Sequence, residues 1–376
     1  MRKLIEINRI FLTLFFVLSS GTFISILYGP AINAFLAIFI GLAIYFTKVK
    51  LTLESICVFS LLFIVSIISF LLNISFESLS LLTFIVFFLK FLLLMFLCIN
   101  DQHQVYLLLD GIFKWVFYFS CISISLYLIK IIFGNVYLPI YEIGEVKTYL
   151  FNTFYGVDFS TASIVRNSGI YYEPGVFGVF LCMALLWALR TSSYSIFKVS
   201  VILLNLLLTF SPVSIFLGGL IVFSAIKKKY ARVILLIIII IIFSFLVDFL
   251  FLKLNSQSFS LRANDLAYGW KLFLNQPIFG YSIFNEAIAI QYNTDTNGLA
   301  RGSSNGILSM LYQTGAIFFS IYLYILAKGV SHIGNNNIWI GGLIVILLIS
   351  QQPIHFSNVF ILIAITGLSQ LCLKKQ

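Results

Sequence analysis

Charge is scarce in this chain. Lys and Arg total 23 and Asp and Glu 13 in 376 residues, so only 10% of the side chains are charged. With 61% hydrophobic residues and a mean hydropathy of +1.08, there is too little polar surface to face water all round, which excludes a soluble globular domain. Cysteine is also sparse. Cys57, Cys98, Cys121, Cys182 and Cys372 all fall in or at the ends of apolar runs, without paired spacing and without a neighbouring histidine. They read as small buried hydrophobes, not as disulfides or zinc ligands. The chain also lacks an internal repeat, any low-complexity tract beyond its Ile/Leu/Phe richness, and a separate soluble module. The apolar run 10–28 follows Arg2, Lys3 and Arg9 but has no convincing small-residue cleavage site, so it reads as an uncleaved first helix.

What is present is one apolar run after another. A hydrocarbon core of about 30 Å takes about 20 apolar residues in a helix. Spans are expected at residues 10–28, 31–46, 53–72, 79–99, 113–133, 174–189, 196–210, 213–226, 233–252, 304–327, 338–350 and 355–372. The fold class expected is therefore an all-α polytopic membrane protein of about 12 transmembrane helices, forming a single integral membrane domain over residues 1–376. Between Lys198 and Lys227 the apolar run is broken by Ser211-Pro212. A hairpin there keeps Lys198 on the same side as Lys227, Lys228, Lys229 and Arg232, as the positive-inside rule prefers, and the same reasoning puts a turn at Gln351-Gln352-Pro353. With both termini cytoplasmic, most basic residues fall inside. The net charge of +10 is then an orientation signal, and no nucleic-acid partner is expected.

Cytoplasmic connections are short, whereas two external loops, about 134–173 and 253–303, are long and rich in aromatic residues, which favours order and function over disorder. In the second, Leu266, Trp270, Phe273 and Leu274 recur at helical spacing before Gln276-Pro277. This predicts a short amphipathic helix at the outer interface, either closing over a lipid-linked substrate or serving as a plain anchor. The first loop ends in Arg166-Asn-Ser-Gly-Ile-Tyr-Tyr-Glu-Pro, an arginine and a glutamate at the mouth of an apolar helix.

Three segments together carry a resemblance: Arg166 through Glu173-Pro174-Gly175; Leu261-Arg262 through Trp270 to Asn275-Gln-Pro-Ile-Phe-Gly280-Tyr-Ser; and Ser303-Ser-Asn-Gly through Gly315. Their order and their placement on one face resemble the O-antigen polymerase and ligase superfamily, closest to Wzy-type polymerases. The resemblance covers 166–315 in detail and the rest in topology. It implies a metal-independent, inverting glycosyltransferase of GT-C type that binds no cofactor. Its implied substrate is an oligosaccharide on undecaprenyl diphosphate, at the outer face of a bacterial cytoplasmic membrane. The implied partners are that substrate, the lipid bilayer, a chain-length regulator and a flippase. Ligase relatives usually show a histidine where this chain has Ser304-Asn305, which favours the polymerase.

A diphosphate leaving group gathers negative charge that guanidiniums stabilise bidentately in a site of low dielectric. Arg166 and Arg262 are the catalytic candidates and Arg301 a substrate-binding one, against the alternative that each pairs with a carboxylate such as Glu173 or Asp265. Glu173 is the candidate base, its plainer role being a carboxylate at a helix start before Pro174. Tyr172 and Tyr268, with Tyr171, Tyr281 and Tyr292, are candidates for stacking on sugar rings or for interfacial anchoring. Asn305 and His355 complete the substrate-binding set, with His355 expected to reach the aqueous pocket and titrate near neutrality. Lys90, in the fourth span, is expected to make an interhelical contact, with Asp248 as one partner. The rival readings are an O-antigen ligase, and a polysaccharide flippase or other transporter, for which repeats and more intramembrane charges are the usual signs.

Overall fold

The computed structural model describes residues 2–45, 53–73, 81–98, 102–133, 140–143, 146–149, 155–159, 166–191, 195–226, 257–285, 288, 305–334 and 337–373. Within these the chain is a helical bundle with one small sheet. Helices α1 (Arg2–Leu18), α2 (Phe23–Tyr45), α3 (Leu53–Leu72), α4 (Leu81–Cys98) and α5 (Gln102–Phe133) come first. Then follow α6 (Pro174–Arg190), α7 (Ile196–Leu208), α8 (Pro212–Ala225), α9 (Gln257–Asn275), α10 (Gly306–Gly334), α11 (Ile338–Gln351) and α12 (Asn358–Leu373). The expected span 233–252 lies outside the described residues.

Apolar residues fill both the core and the outward faces. Helix α6 is buried over nearly its whole length, and α12 is buried from Val359 to Ile365. On α2 and α3, by contrast, Phe35, Ile38, Ile64 and Leu71 point outward and are exposed. A helix bundle with an apolar rim as well as an apolar core belongs in lipid. Three helices are long and apolar enough to cross a membrane: Leu27–Tyr45, His103–Ile129 and Gly306–Gly334. Among the described residues the other apolar helices, such as Ile56–Leu72 and Pro174–Arg190, have 10–17 residues. At 1.5 Å per residue, α7 with 13 residues and α8 and α11 with 14 each rise only about 20 Å, less than the hydrocarbon core.

Several boundaries differ from those the sequence predicts, and one element is added. The first turn lies at Ser19–Thr22, where Gly21 takes φ +79°, and not at Gly29-Pro30. Pro30 is instead accommodated just after a kink in α2, where Tyr28 leaves helical geometry at φ −127°. Helix α5 begins at Gln102, well before 113, and α10 continues to Gly334. The first long loop contains a three-stranded antiparallel sheet, β1 (Ile140–Ile143), β2 (Val146–Tyr149) and β3 (Tyr155–Phe159) in sequential order, which the reading as loop left out. The hairpin at Ser211-Pro212 and the turn after Gln351 are both present, with Pro212 as the first residue of α8.

Candidate functional site

At one end of the bundle α1, α7 and α11 stop, and α2, α6, α8, α10 and α12 start. The turns between them pack against each other. Gly21 lies under Tyr172, Val176 and Ile354, and its carbonyl accepts the Tyr172 N–H at 3.3 Å. Tyr171 pairs with Thr22 in an isolated antiparallel bridge. Gly306 lies against the carbonyls of Ile349 and Gln352, where a Cβ would stand 2.4 Å from each, so the start of α10 is pinned to the end of α11.

Arg166 and Glu173 stand on one hydrogen-bonded floor built by these turns. The Arg166 Nε donates to the Thr209 carbonyl at 2.9 Å, and the Thr209 hydroxyl oxygen accepts the Ser211 N–H at 3.2 Å. The Gln351 Oε1 accepts from Ser211 Oγ at 3.4 Å and from Ser214 Oγ at 2.5 Å. Its neighbour Gln352 donates Nε2 to the Glu173 carboxylate. Below Arg166, Asn167 is tied to Asn205 at 2.9 Å and accepts from Ser123 at 2.5 Å. Gly178 lets Ser214 close against α6, since a Cβ there would meet the Ser214 hydroxyl at 2.0 Å. Glu173 is the N-cap residue of α6 but makes no side-chain cap bond; its carboxylate faces Gln352 instead.

The floor is sunk below the rim. Lys90 Nζ donates to Asn33 Oδ1 at 3.3 Å, and Asn358, the first residue of α12, reaches the same oxygen at 3.5 Å and Ser19 Oγ at 2.7 Å. Lys90 is thus level with the floor turns, yet it lies nine residues, about 13 Å, from the start of α4. That start packs beside the end of α3 through Phe84 and Phe70, 5.1 Å between ring centres, on the floor side. Likewise α5 touches the floor at Ser123 and runs on for about 15 Å to Phe133. Short helices ending between longer ones make a recess. Irregular backbone at such a depth is tolerated where it is buried in protein or lines a water-filled cavity. Among the described residues Lys90 has no carboxylate partner, its interhelical contact being to Asn33; Asp248 lies outside them.

The second and third sequence segments are docked to each other. Helix α10 is broken at Gly315, with φ +70° and ψ 172°, and the loop 277–281 enters the break. Ala316 N–H donates to the Pro277 carbonyl and Tyr281 N–H to the Tyr312 carbonyl, both at 2.8 Å. Asn73 at the end of α3 donates to the Gly280 carbonyl at 3.0 Å. Two glycines make this contact possible. A Cβ on Gly315 would sit 2.2 Å from the Ile278 oxygen, and one on Gly280, at φ +66°, 2.5 Å from the Gly315 nitrogen. With Gly269 against Leu308, Leu272 beside Tyr312 and Pro277 on Ala316, α9 runs in the same direction as α10. Its first turns, with the backbone of Arg262, therefore lie toward the floor end.

The candidates divide accordingly. Arg166, Glu173, Tyr172, Asn305 and His355 come together at the floor. Asn305 starts α10, its Oδ1 accepting the N–H groups of Ile307 and Leu308 at 3.0 and 3.1 Å, so its acceptor serves as a helix cap. Tyr268 is 39% exposed on α9, one residue from Gly269. Arg301 and Tyr292, and the side chain of Arg262, lie outside the described residues. Asp265, one turn beyond Arg262, is buried. On α9 the outward residues are Leu266, Trp270 and Leu274, while Asp265, Gly269 and Leu272 face the bundle. The apolar stripe expected from spacing is there and points away from the protein, although Phe273 turns partly inward.

Two expectations are corrected. His355 is 2% exposed, with neither ring nitrogen hydrogen-bonded among the described residues, and burial lowers its pKa to about 3. It stays neutral through the physiological range and does not titrate near neutrality. Tyr171 is fully buried and stacks on Phe180 and Phe177 at 4.6 and 5.6 Å, and burial pushes its phenol well above the usual value. It is a core residue and not a sugar platform. Sequence reasoning missed the amides and hydroxyls of the floor, Asn167, Asn205, Ser211, Ser214, Gln351 and Gln352. The signal for them in the sequence is polar residues beside proline within apolar runs. Among the described residues no cluster of His, Cys, Asp and Glu has the makings of a metal site. Comparison of the chain with models of known protein families, with curated proteins and with solved structures yields no match.

Proposed function

We propose that this chain is a polysaccharide repeat-unit polymerase. It transfers a growing glycan from undecaprenyl diphosphate to a lipid-linked acceptor repeat unit, with inversion, at the outer face of a bacterial cytoplasmic membrane. The observation that carries this reading is the joining of Arg166 to Glu173 through Thr209, Ser211, Gln351 and Gln352 on a recessed polar floor in an apolar bundle.

The chemistry follows from what a glycosyl transfer needs. The acceptor hydroxyl oxygen attacks the anomeric carbon as the bond from that carbon to the phosphate oxygen breaks. The hydroxyl proton goes to the Glu173 carboxylate, and undecaprenyl diphosphate departs with the bonding electrons. Arg166, joined by Arg262 from α9 and by Arg301, offsets the charge arriving on the diphosphate. Helices α6, α8, α10 and α12 start at the floor and add the partial positive charge of their N-terminal N–H groups. Tyr172 and Tyr268 offer faces for the sugars. Outward Leu266, Trp270 and Leu274 on α9 suit the acyl boundary beside the polyprenyl chain.

The test is made in cells. With protein levels unchanged, Arg166→Ala and Glu173→Gln are expected to abolish long chains and to leave single lipid-linked repeat units on the outer face. Retention of long polysaccharide in Arg166→Ala would sink the catalytic assignment. Repeat units trapped on the inner face of a deletion strain would point to a flippase. Long lipid-linked chains that fail to reach their final acceptor would point to a ligase.

A further inference from the structure

The opposite end of the bundle holds a cavity of about 120 Å³ between α5, α6, α10 and α12, lined by Tyr106, Trp187, Arg190, His332, Thr366 and Ser369 among others. Its volume is that of roughly four waters at ~30 Å³ each, enough for a phosphate group. Trp187 forms its buried wall, with the Tyr106 ring 4.9 Å away and the Arg190 guanidinium 5.9 Å over the indole. Tyr106 is 40% exposed, so the cavity reaches the protein surface.

Arg190 is held but not neutralised. Its Nη1 donates to the His332 carbonyl, leaving further N–H groups, and among the described residues it has no carboxylate partner. Asp110, which accepts from the same indole at 3.4 Å, is paired with Lys114 at 2.6 Å. The Thr366 and Ser369 hydroxyls line the cavity, and each gives its proton to a backbone carbonyl at 2.8 Å. The guanidinium fork with an aromatic wall behind it suits a phosphate ester, and the two hydroxyl oxygens, their protons already given away, meet it only through a bridging water that donates to both.

We propose that this cavity binds a phosphate-bearing anion at the end of the molecule remote from the recessed floor. The phosphodiester of an anionic phospholipid and free inorganic phosphate share this chemistry. The proposal stands independently of the polymerase reading. Basic pockets between membrane helices are suited to acidic lipid headgroups, and this end carries Arg190, Lys114 and Lys198.

The test uses the full-length protein in neutral detergent, following its unfolding midpoint while phosphatidylglycerol, phosphatidylcholine or inorganic phosphate is titrated in. Phosphatidylglycerol is expected to raise the midpoint by several degrees and saturably, with at least about tenfold weaker apparent affinity in Arg190→Gln. Ser369→Leu, which fills the cavity and keeps the Arg190 contact to His332, is expected to abolish the shift, and it decides the matter if Arg190→Gln does not fold. A saturable rise with inorganic phosphate alone, lost in the same variants, would support the site and make a free anion its ligand. No rise with any of the three in the wild type, or a rise undiminished in Ser369→Leu, overturns the proposal.

Discussion

Replacing Gly315 by alanine perturbs a contact in which backbone meets backbone at a positive φ. At φ +70° and ψ 172° the backbone is in a region that glycine alone occupies readily, and any other residue there costs about 1–3 kcal/mol. The new methyl would stand 2.2 Å from the Ile278 oxygen and 2.6 Å from the Phe279 carbonyl carbon, and neither is the far end of a flexible side chain. The loop 277–281 must back out, lengthening the bonds from Ala316 to Pro277 and from Tyr281 to Tyr312. Each is worth about 0.5–1.5 kcal/mol. The sum is roughly 2–6 kcal/mol, and at about 2 °C per kcal/mol for a large domain the unfolding midpoint falls by roughly 4–12 °C. Gly41→Ala is the control. Nothing lies within 4 Å of its new methyl, and a helix-interior alanine is neutral or stabilising by about 0.5–1 kcal/mol. Thermal unfolding of the detergent-solubilised protein reads both. A midpoint for Gly315→Ala within about 2 °C of wild type would refute the account of the loop as wedged into the helix break.

His355 has a folded pKa below its unfolded value, so the stability it allows is present above pH 6.5 and is lost as pH falls toward 3. His355→Phe is expected to flatten the decline between pH 7 and pH 5, measured by denaturation at the two pH values, by up to about 1.4 kcal/mol per pH unit. Ser214→Ala leaves the Gln351 Oε1 with a long 3.4 Å partner in Ser211 and is expected to cost about 1–3 kcal/mol in the same assay, whereas Ser224→Ala on the same helix is expected to be near neutral. Lys90→Met removes a half-buried ammonium whose described partner is a single amide, so its unfolding midpoint is expected to hold or rise; a large drop would mean that Lys90 has a strong partner.

Hydrophobic run length and the distribution of lysine and arginine were enough to read the helices and most of their order. Ser211-Pro212 is the clearest case, because charge alone required a hairpin there. The first turn was misplaced since Gly29-Pro30 carries the stronger breaker signal, while Ser19–Thr22 shows only small polar residues. Pro30 falls in α2 two residues after Tyr28, where the backbone already leaves helical geometry. The sheet in the first loop was missed because its strands are four and five residues long and are separated by short breaks. Arg166 and Glu173 were visible as a pair of charges in an apolar chain. What joins them was not, because Gln352 is 179 positions from Glu173 and the bond depends on how three hairpins pack. His355 shows the same limit in reverse. Its place in a turn suggested solvent, and only packing against Phe356, 4.2 Å between ring centres, and the bond from Tyr322 to its carbonyl put it in the core.

The sunken floor has an electrical consequence. At physiological ionic strength mobile ions damp a surface charge over about 8 Å, less than the roughly 13–15 Å by which α4 and α5 run on past the level of the floor. Walls of hydrocarbon side chains keep counterions from approaching sideways and channel the guanidinium's field upward through the mouth. Raising salt would weaken the attraction felt by an anion still outside the recess far more than the grip on one already seated, so ionic strength acts on arrival more than on residence.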